Sequence, residues 1–116
     1  MRDLLLCASG ILGLAVAFGH GLLGETHVFA RARIEPERLR RLIRLVWQSS
    51  AVAWASVAVL LIVAPWMGSQ MARQWIVGAA VVIYGSAAVG NAWVLRTWHA
   101  GWIAAAIVVG LALAGL

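Results

Sequence analysis

Four stretches of the chain are apolar over about the length that a membrane-crossing helix needs. A hydrocarbon core of about 30 Å takes about 20 residues per helical crossing. No stretch alternates polar and apolar residues as a barrel strand would, and helices are the remaining way to satisfy every backbone group in lipid. The pattern predicts an all-α, four-transmembrane-helix bundle in a single domain, residues 1–116, with spans at 4–23, 45–66, 75–95 and 98–116.

Composition excludes a soluble globular domain. The chain is 64% hydrophobic and 11% charged, whereas about a quarter of the residues are charged in soluble domains. The single cysteine, Cys7, excludes an internal disulfide and a multi-cysteine metal site. A cleaved signal peptide is the competing interpretation of the first stretch, because Ala15–Ala17 resembles a cleavage site. Arg2 and Asp3 cancel, however, so the positively charged start of a signal peptide is missing.

The arginines predict the orientation. All nine basic residues are arginine, and six of them lie in the connection 31–44, against one each in the second and third connections. Because positive residues stay in the cytoplasm, we expect the first and third connections on the cytoplasmic side and both termini outside. These charges flank apolar spans with no aromatic residues among them, so we expect the lipid bilayer as a partner and no nucleic acid.

The basic connection 31–44 has a helical pattern of its own. Pro36 stands where a helix can begin, and Leu39, Leu42 and Ile43 recur at helical spacing with arginines interposed. We expect this amphipathic run to continue into the second span, and a docking face for a partner is the alternative. The residues expected to contact lipid headgroups are Arg38, Arg40, Arg41 and Arg44.

A polar cluster stands where the first apolar stretch ends, in the sequence FGHGLLGETH at 18–27. If the helix continues past the glycines, His20, His27 and Arg31 share one side, and Glu25 points about 140° away from His20. Because the same membrane face receives the starts or ends of all four helices, the predicted cluster is His20, Glu25, Gln48 and His99. Pairing of Glu25 with an arginine indicates a structural role; a secluded carboxyl indicates proton coupling.

The third span carries a second polar stripe. Tyr84 and Asn91 are seven residues apart and therefore share a helix face. Polar groups inside a bilayer normally turn toward the bundle interior, so we expect both side chains to face it. Catalytic signatures such as H-E-x-x-H, a nucleophile elbow or a phosphate loop are absent, and we expect no enzyme. Three histidines could hold a metal or haem, but no spacing rule supports this, and the sequence identifies no cofactor.

Three short motifs resemble those of a group of small uncharacterised bacterial four-helix integral membrane proteins. The motifs are GHGLLGE at 19–25, VWQSSAVAW at 46–54 and RTWHAGW at 96–102. In that group the matching pieces read roughly His-x-x-Leu-Gly-Glu, Trp-His-x-x-x-Val-Ala-Trp and Arg-x-x-His-x-Gly-Trp. Gln48 departs, because the group carries histidine there. The resemblance implies a four-helix architecture and a polar cluster on the cytoplasmic side, and it implies no reaction. We expect the chain in the bacterial inner membrane.

Three functional interpretations follow. The first is a non-enzymatic accessory or assembly subunit, or a small-molecule-binding bundle, that forms a homo-oligomer or joins a larger membrane complex, because four short helices bury little protein surface alone. The second is a proton-coupled small-solute transporter. It is similar in architecture to the small multidrug resistance exporters, which dimerise and use a glutamate of the first helix, although Glu25 stands at the end of its span. The third is a metal- or haem-binding membrane protein.

Overall fold

The computed structural model describes all 116 residues and is helical throughout, which confirms the predicted all-α four-helix bundle. Helix α1 leads into a π-helical turn and the short α2, and helix α3 ends in a 3-10 turn before α4 and α5. The bounds are α1 Arg2–Leu23, π turn Gly24–Val28, α2 Phe29–Arg31, α3 Glu37–Val63, 3-10 turn Ala64–Met67, α4 Gln70–Leu95 and α5 Ala100–Ala114.

Three of the helical segments are long and apolar enough to cross a membrane, namely Arg2–Arg31, Glu37–Met67 and Gln70–Leu95. Helix α5 is shorter than the predicted fourth span, 98–116, because His99 caps its start and Gly115 ends it. Its 15 residues cover about 22 Å, less than the hydrocarbon thickness of about 30 Å. Helix α3 starts at Glu37, directly after Pro36, so the basic run is part of this helix, as the sequence predicts.

Small residues on α1 let α3 approach closely. A Cβ atom at Gly10 would lie 2.5 Å from the backbone oxygen of Ala58, and one at Gly13 would lie 2.9 Å from the Tyr84 hydroxyl. A larger residue at Gly10 would displace the backbone of α3, and one at Gly13 would displace the Tyr84 side chain. Close backbone approach through small residues is a common basis of helix packing in membranes.

Buried hydrogen bonds join the helices at mid-height. The hydroxyl of Tyr84, a fully buried residue of α4, lies 3.1 Å from Gly13 O on α1 and 2.8 Å from Trp54 O on α3. Ser9 Oγ donates to Val108 O at 2.8 Å and so links α1 to α5. The placement of Tyr84 inside the bundle agrees with the expectation from the sequence.

Asn91 is not buried in the bundle, contrary to expectation. Its side chain is exposed, and Nδ2 donates at 2.8 Å to Ala87 O of its own helix. The helical spacing from Tyr84 is as predicted, but burial along α4 ends at Ala88, one turn earlier. The neighbouring helices do not cover the last turn of α4, so a residue on the core-facing side is exposed there.

The opposite end of the bundle, away from the basic connection, is closed by Arg73. Its guanidinium is 14% exposed, forms an ion pair with Asp3 and donates to Gly115 O at 3.3 Å. One side chain from the start of α4 thereby contacts both the first turn of α1 and the end of α5.

We predict that Tyr84→Phe lowers the free energy of unfolding by about 1 kcal/mol, because the variant removes the one hydroxyl hydrogen that lies between the oxygens of Gly13 and Trp54. Reversible unfolding in mixed micelles with increasing SDS measures it. Asn91→Ala is the control and should change the value by less than about 0.5 kcal/mol. Equal values for Tyr84→Phe and wild type would contradict the role of the hydroxyl.

Candidate functional site

The candidate site surrounds the contact between the end of α1 and the start of α3, here called the α1–α3 seam and defined by Gly21, Gly24, Trp47 and Ala51. A Cβ atom at Gly24 would overlap the Trp47 indole, and one at Gly21 would lie 3.1 Å from Gln48 Oε1 and 3.5 Å from Ala51 Cβ. Gly21 and Gly24 are therefore the glycines of the sequence GHGLLGE at which α3 packs against α1, whereas a Cβ atom at Gly19 would meet nothing within 4 Å. Polar side chains lie on both sides of this seam.

On one side, Glu25 receives three hydrogen bonds from α3. Arg44 donates from Nε to Oε1 at 2.9 Å and from a terminal nitrogen to Oε2 at 2.5 Å, which is the bidentate arrangement that fits a carboxylate. Gln48 Nε2 donates to Oε1 at 2.8 Å and also lies 3.1 Å from Gly21 O. The side chains of Arg44 and Glu25 are 52% and 36% exposed, so the group lies at the edge of the bundle. This pairing favours the structural role.

On the other side, the His20 ring is sandwiched between two indoles of α3. Its centroid lies 4.3 Å from those of Trp47 and Trp54, with interplanar angles of 6° and 29°. His20 Nε2 lies 3.1 Å from Ser50 Oγ, whose proton goes to Trp47 O at 2.6 Å. The hydroxyl therefore accepts from the ring, and Nε2 carries a hydrogen. The indole of Trp47 donates to His20 O at 2.9 Å.

His20 and Glu25 thus lie on opposite sides of one seam and form no hydrogen bond with each other. This is the outcome expected from five residues of helix, which separate two side chains by about 140°. The sequence left open whether the helix passes the glycines, and it does so through the π turn, in which Phe29 N–H donates to Gly24 O. A π turn holds one more residue than an α turn. His27 and Arg31 are exposed, whereas His20 is half-buried.

The structure does not bring His99 into the cluster. His99 is the residue before α5, and its Nδ1 accepts the Gly101 N–H at 3.1 Å, so its side chain caps its own helix. Trp47 is half-buried in the seam. Ser50 was missed, although its spacing from Trp47 and Trp54 places all three on one helix face.

The arginines of α3 differ in their partners. Arg40 donates to Phe29 O at 2.5 Å and holds the connection against α3. Arg41 pairs with Glu37 one turn away at 3.2 Å, with both side chains exposed. Arg38 is exposed. Lipid contact by Arg38, Arg40, Arg41 and Arg44 stays a prediction.

The chemistry of the site is hydrogen bonding, ion pairing and aromatic stacking. The structure holds no group of three or more histidine, cysteine, aspartate or glutamate side chains placed to share a metal ion. Comparisons with models of protein families, with curated proteins and with solved structures found no match.

We predict that His20→Ala lowers the free energy of unfolding by about 1–3 kcal/mol, because two ring contacts at about 0.5–1.5 kcal/mol each are lost. His20→Phe keeps a ring between the indoles and should lose less than half as much. SDS titration of the three proteins measures both changes. Equal losses for alanine and phenylalanine would show that the stacking does not stabilise the seam.

Proposed function

We propose that the chain is a non-enzymatic subunit of a membrane complex, which it joins by packing the outward face of α4 on a helix of a partner or of a second copy. The observation that carries this proposal is a stripe of exposed residues along α4 with no counterpart inside the chain. The stripe consists of Gly78, Val82, Ser86, Val89 and Trp93.

The spacing of this stripe suits a second helix. Its members recur every three or four residues and therefore lie along one line of the helix. A Cβ atom at Gly78 would meet nothing within 4 Å, so the glycine is not explained by packing within the chain. Membrane helices associate where small residues such as glycine and serine let their backbones approach. Val82 and Trp93, which are 69% and 76% exposed, would supply the larger contacts.

The state of Glu25 supports a structural module over a proton-coupled transporter. A carboxyl that carries protons through a membrane has to be held in an environment where gaining a proton is easy. Glu25 instead has both oxygens engaged, by the bidentate guanidinium of Arg44 and by Gln48. These three donors favour the ionised carboxylate and fix α1 to α3, which is the behaviour of a structural ion pair.

We further propose a bacterial inner-membrane location with the basic end of the bundle in the cytoplasm. Residues 25–44 contain six arginines and three glutamates, which gives this segment a net charge of +3. The opposite end, by contrast, has two arginines, Arg2 and Arg73, and one aspartate, Asp3, which pairs with Arg73. By the positive-inside rule, the basic end of the bundle lies in the cytoplasm and both termini lie outside.

Affinity purification from native membranes tests the subunit proposal. The wild-type chain, tagged and solubilised in a mild detergent, should elute at a mass larger than one copy, either as an oligomer or with a co-purifying membrane protein. Ser86→Leu should reduce the assembled fraction by at least about tenfold, because one side chain in the centre of a close helix contact can cost more than about 1.4 kcal/mol.

Ala53→Leu is the matched control, because it adds the same side chain at an exposed position of α3 and should leave the assembly unchanged. A wild-type chain that elutes as a single copy from every mild detergent and from nanodiscs would contradict the proposal. Equal assembly of wild type and Ser86→Leu would show that the contact does not involve the outward face of α4.

A further inference from the structure

A second surface, the α1–α3 groove, opens sideways between these two helices on the Glu25 side of the seam. Its volume is about 690 Å³. Small residues form its floor, and larger apolar side chains form its rims. The residues that define it are Ala17, Phe18, Leu22, Val52, Ala55 and Val59, and Glu25 and Gln48 stand at its upper end. Glu25 and Gln48 are hydrogen-bonded, and the rest of the groove is apolar except for the Ser56 hydroxyl, which donates to Val52 O of its own helix.

The length of the α1–α3 groove is that of one lipid leaflet. From Gln48 to Val59 the groove follows twelve residues of α3, and their eleven rises of 1.5 Å cover about 16 Å. Half of a hydrocarbon core of about 30 Å is about 15 Å. The predicted span of α3, 45–66, is centred near residue 55, so the groove begins about one turn inside the membrane surface on the arginine side and ends about 5 Å beyond the midplane.

Positive charge continues the same stripe of α3 beyond the upper end of the groove. Arg44 and Arg41 precede Gln48 by four and seven residues and lie on the helix face that carries Val52 and Val59. Arg41 is 79% exposed and has only a surface pair with Glu37, so its charge is available to a ligand. Two carboxylates lie near this end of the groove: Glu25, which is compensated by Arg44, and Glu37, which forms the exposed pair with Arg41.

We infer that the α1–α3 groove binds an anionic phospholipid of the leaflet on the arginine side. One acyl chain lies along Ala55 and Val52, and the headgroup phosphate lies near Arg41, about 10 Å above Gln48 along α3. Such a lipid has an apolar tail about one leaflet long and an anionic headgroup at one end. The groove is apolar over about that length and has arginines at the corresponding end. Cytoplasmic leaflets carry anionic lipids that attract arginines close to the surface.

A second copy of the chain is the weaker occupant. Two copies related by an axis along the membrane normal would bring the same arginines to the same height, and like charges facing each other oppose association. A lipid phosphate has the opposite charge and meets them favourably. The outward face of α4, which carries no charge from Gly78 to Trp93, has no such repulsion.

Native mass spectrometry of the detergent-solubilised protein, titrated in parallel with phosphatidylglycerol and phosphatidylcholine of identical acyl chains, tests the inference. The first phosphatidylglycerol should bind wild type several-fold more tightly than the first phosphatidylcholine. Arg41→Ala should lower that preference by about fivefold, which corresponds to one arginine near a charged surface. Arg33→Ala removes the same charge from the connection, away from the stripe, and is the matched control.

Filling the groove provides the second arm. Ala55→Leu places a larger side chain on the groove floor and should abolish the first bound lipid of both classes, whereas Ala53→Leu on another face of α3 should keep it. Circular dichroism checks that each variant folds, and Ser56→Leu at the exposed edge of the groove replaces Ala55→Leu if that variant does not.

Three results would overturn the inference. They are equal affinity of wild type for the two lipids, an unchanged preference in Arg41→Ala, and undiminished lipid binding in folded variants with a filled groove. A dimer that is present in wild type and lost in Ala55→Leu, with lipid binding unchanged, would assign the groove to a second copy instead.

Discussion

The close approach of α1 to α3 is the constraint on which the rest of the structure depends. Gly10 and Gly24 are positions where a side chain would collide with α3, at Ala58 and at Trp47 respectively. Between these two positions the helices touch over much of the bundle height. Lipid supplies no hydrophobic drive for helix association, so dispersion attraction between packed atoms holds α1 and α3 together. The same approach brings His20 and Glu25 within reach of α3.

Polar groups then fix the register of these helices, since a slip along the seam would leave them unpaired. Arg44 binds Glu25 on one side, Ser50 binds His20 on the other, and Tyr84 bonds to the backbone of α1 and α3 at mid-height. No buried side-chain nitrogen or oxygen lacks a partner. In a medium without water each unpaired group would cost several kcal/mol, so satisfied polar groups select one arrangement among many apolar ones.

The helical fold could be predicted from the sequence, because apolar length and the need to satisfy backbone groups in lipid leave few alternatives. The meeting of Glu25 with Gln48 was also predictable, since the end of one helix and the start of the next share a membrane face. The stacking of His20 between two indoles was not, because it depends on how far α3 rotates about its axis. Asn91 and His99 were placed wrongly for local reasons: the coverage of the last turn of α4, and the use of a histidine as a helix cap.

The polar residues around the seam act as a structural clamp, with Glu25 ionised and held by Arg44. Solid-state NMR on the protein in lipid bilayers, with labelled glutamate carboxyl carbons and arginine nitrogens, measures the distance between the Glu25 carboxyl carbon and the Arg44 guanidinium nitrogens directly. We expect a carboxylate carbon shift for Glu25 and a separation of about 4 Å or less from an Arg44 guanidinium nitrogen, as in a bidentate pair. A protonated Glu25 carboxyl, or one beyond about 6 Å from every arginine nitrogen, would show that no such clamp exists.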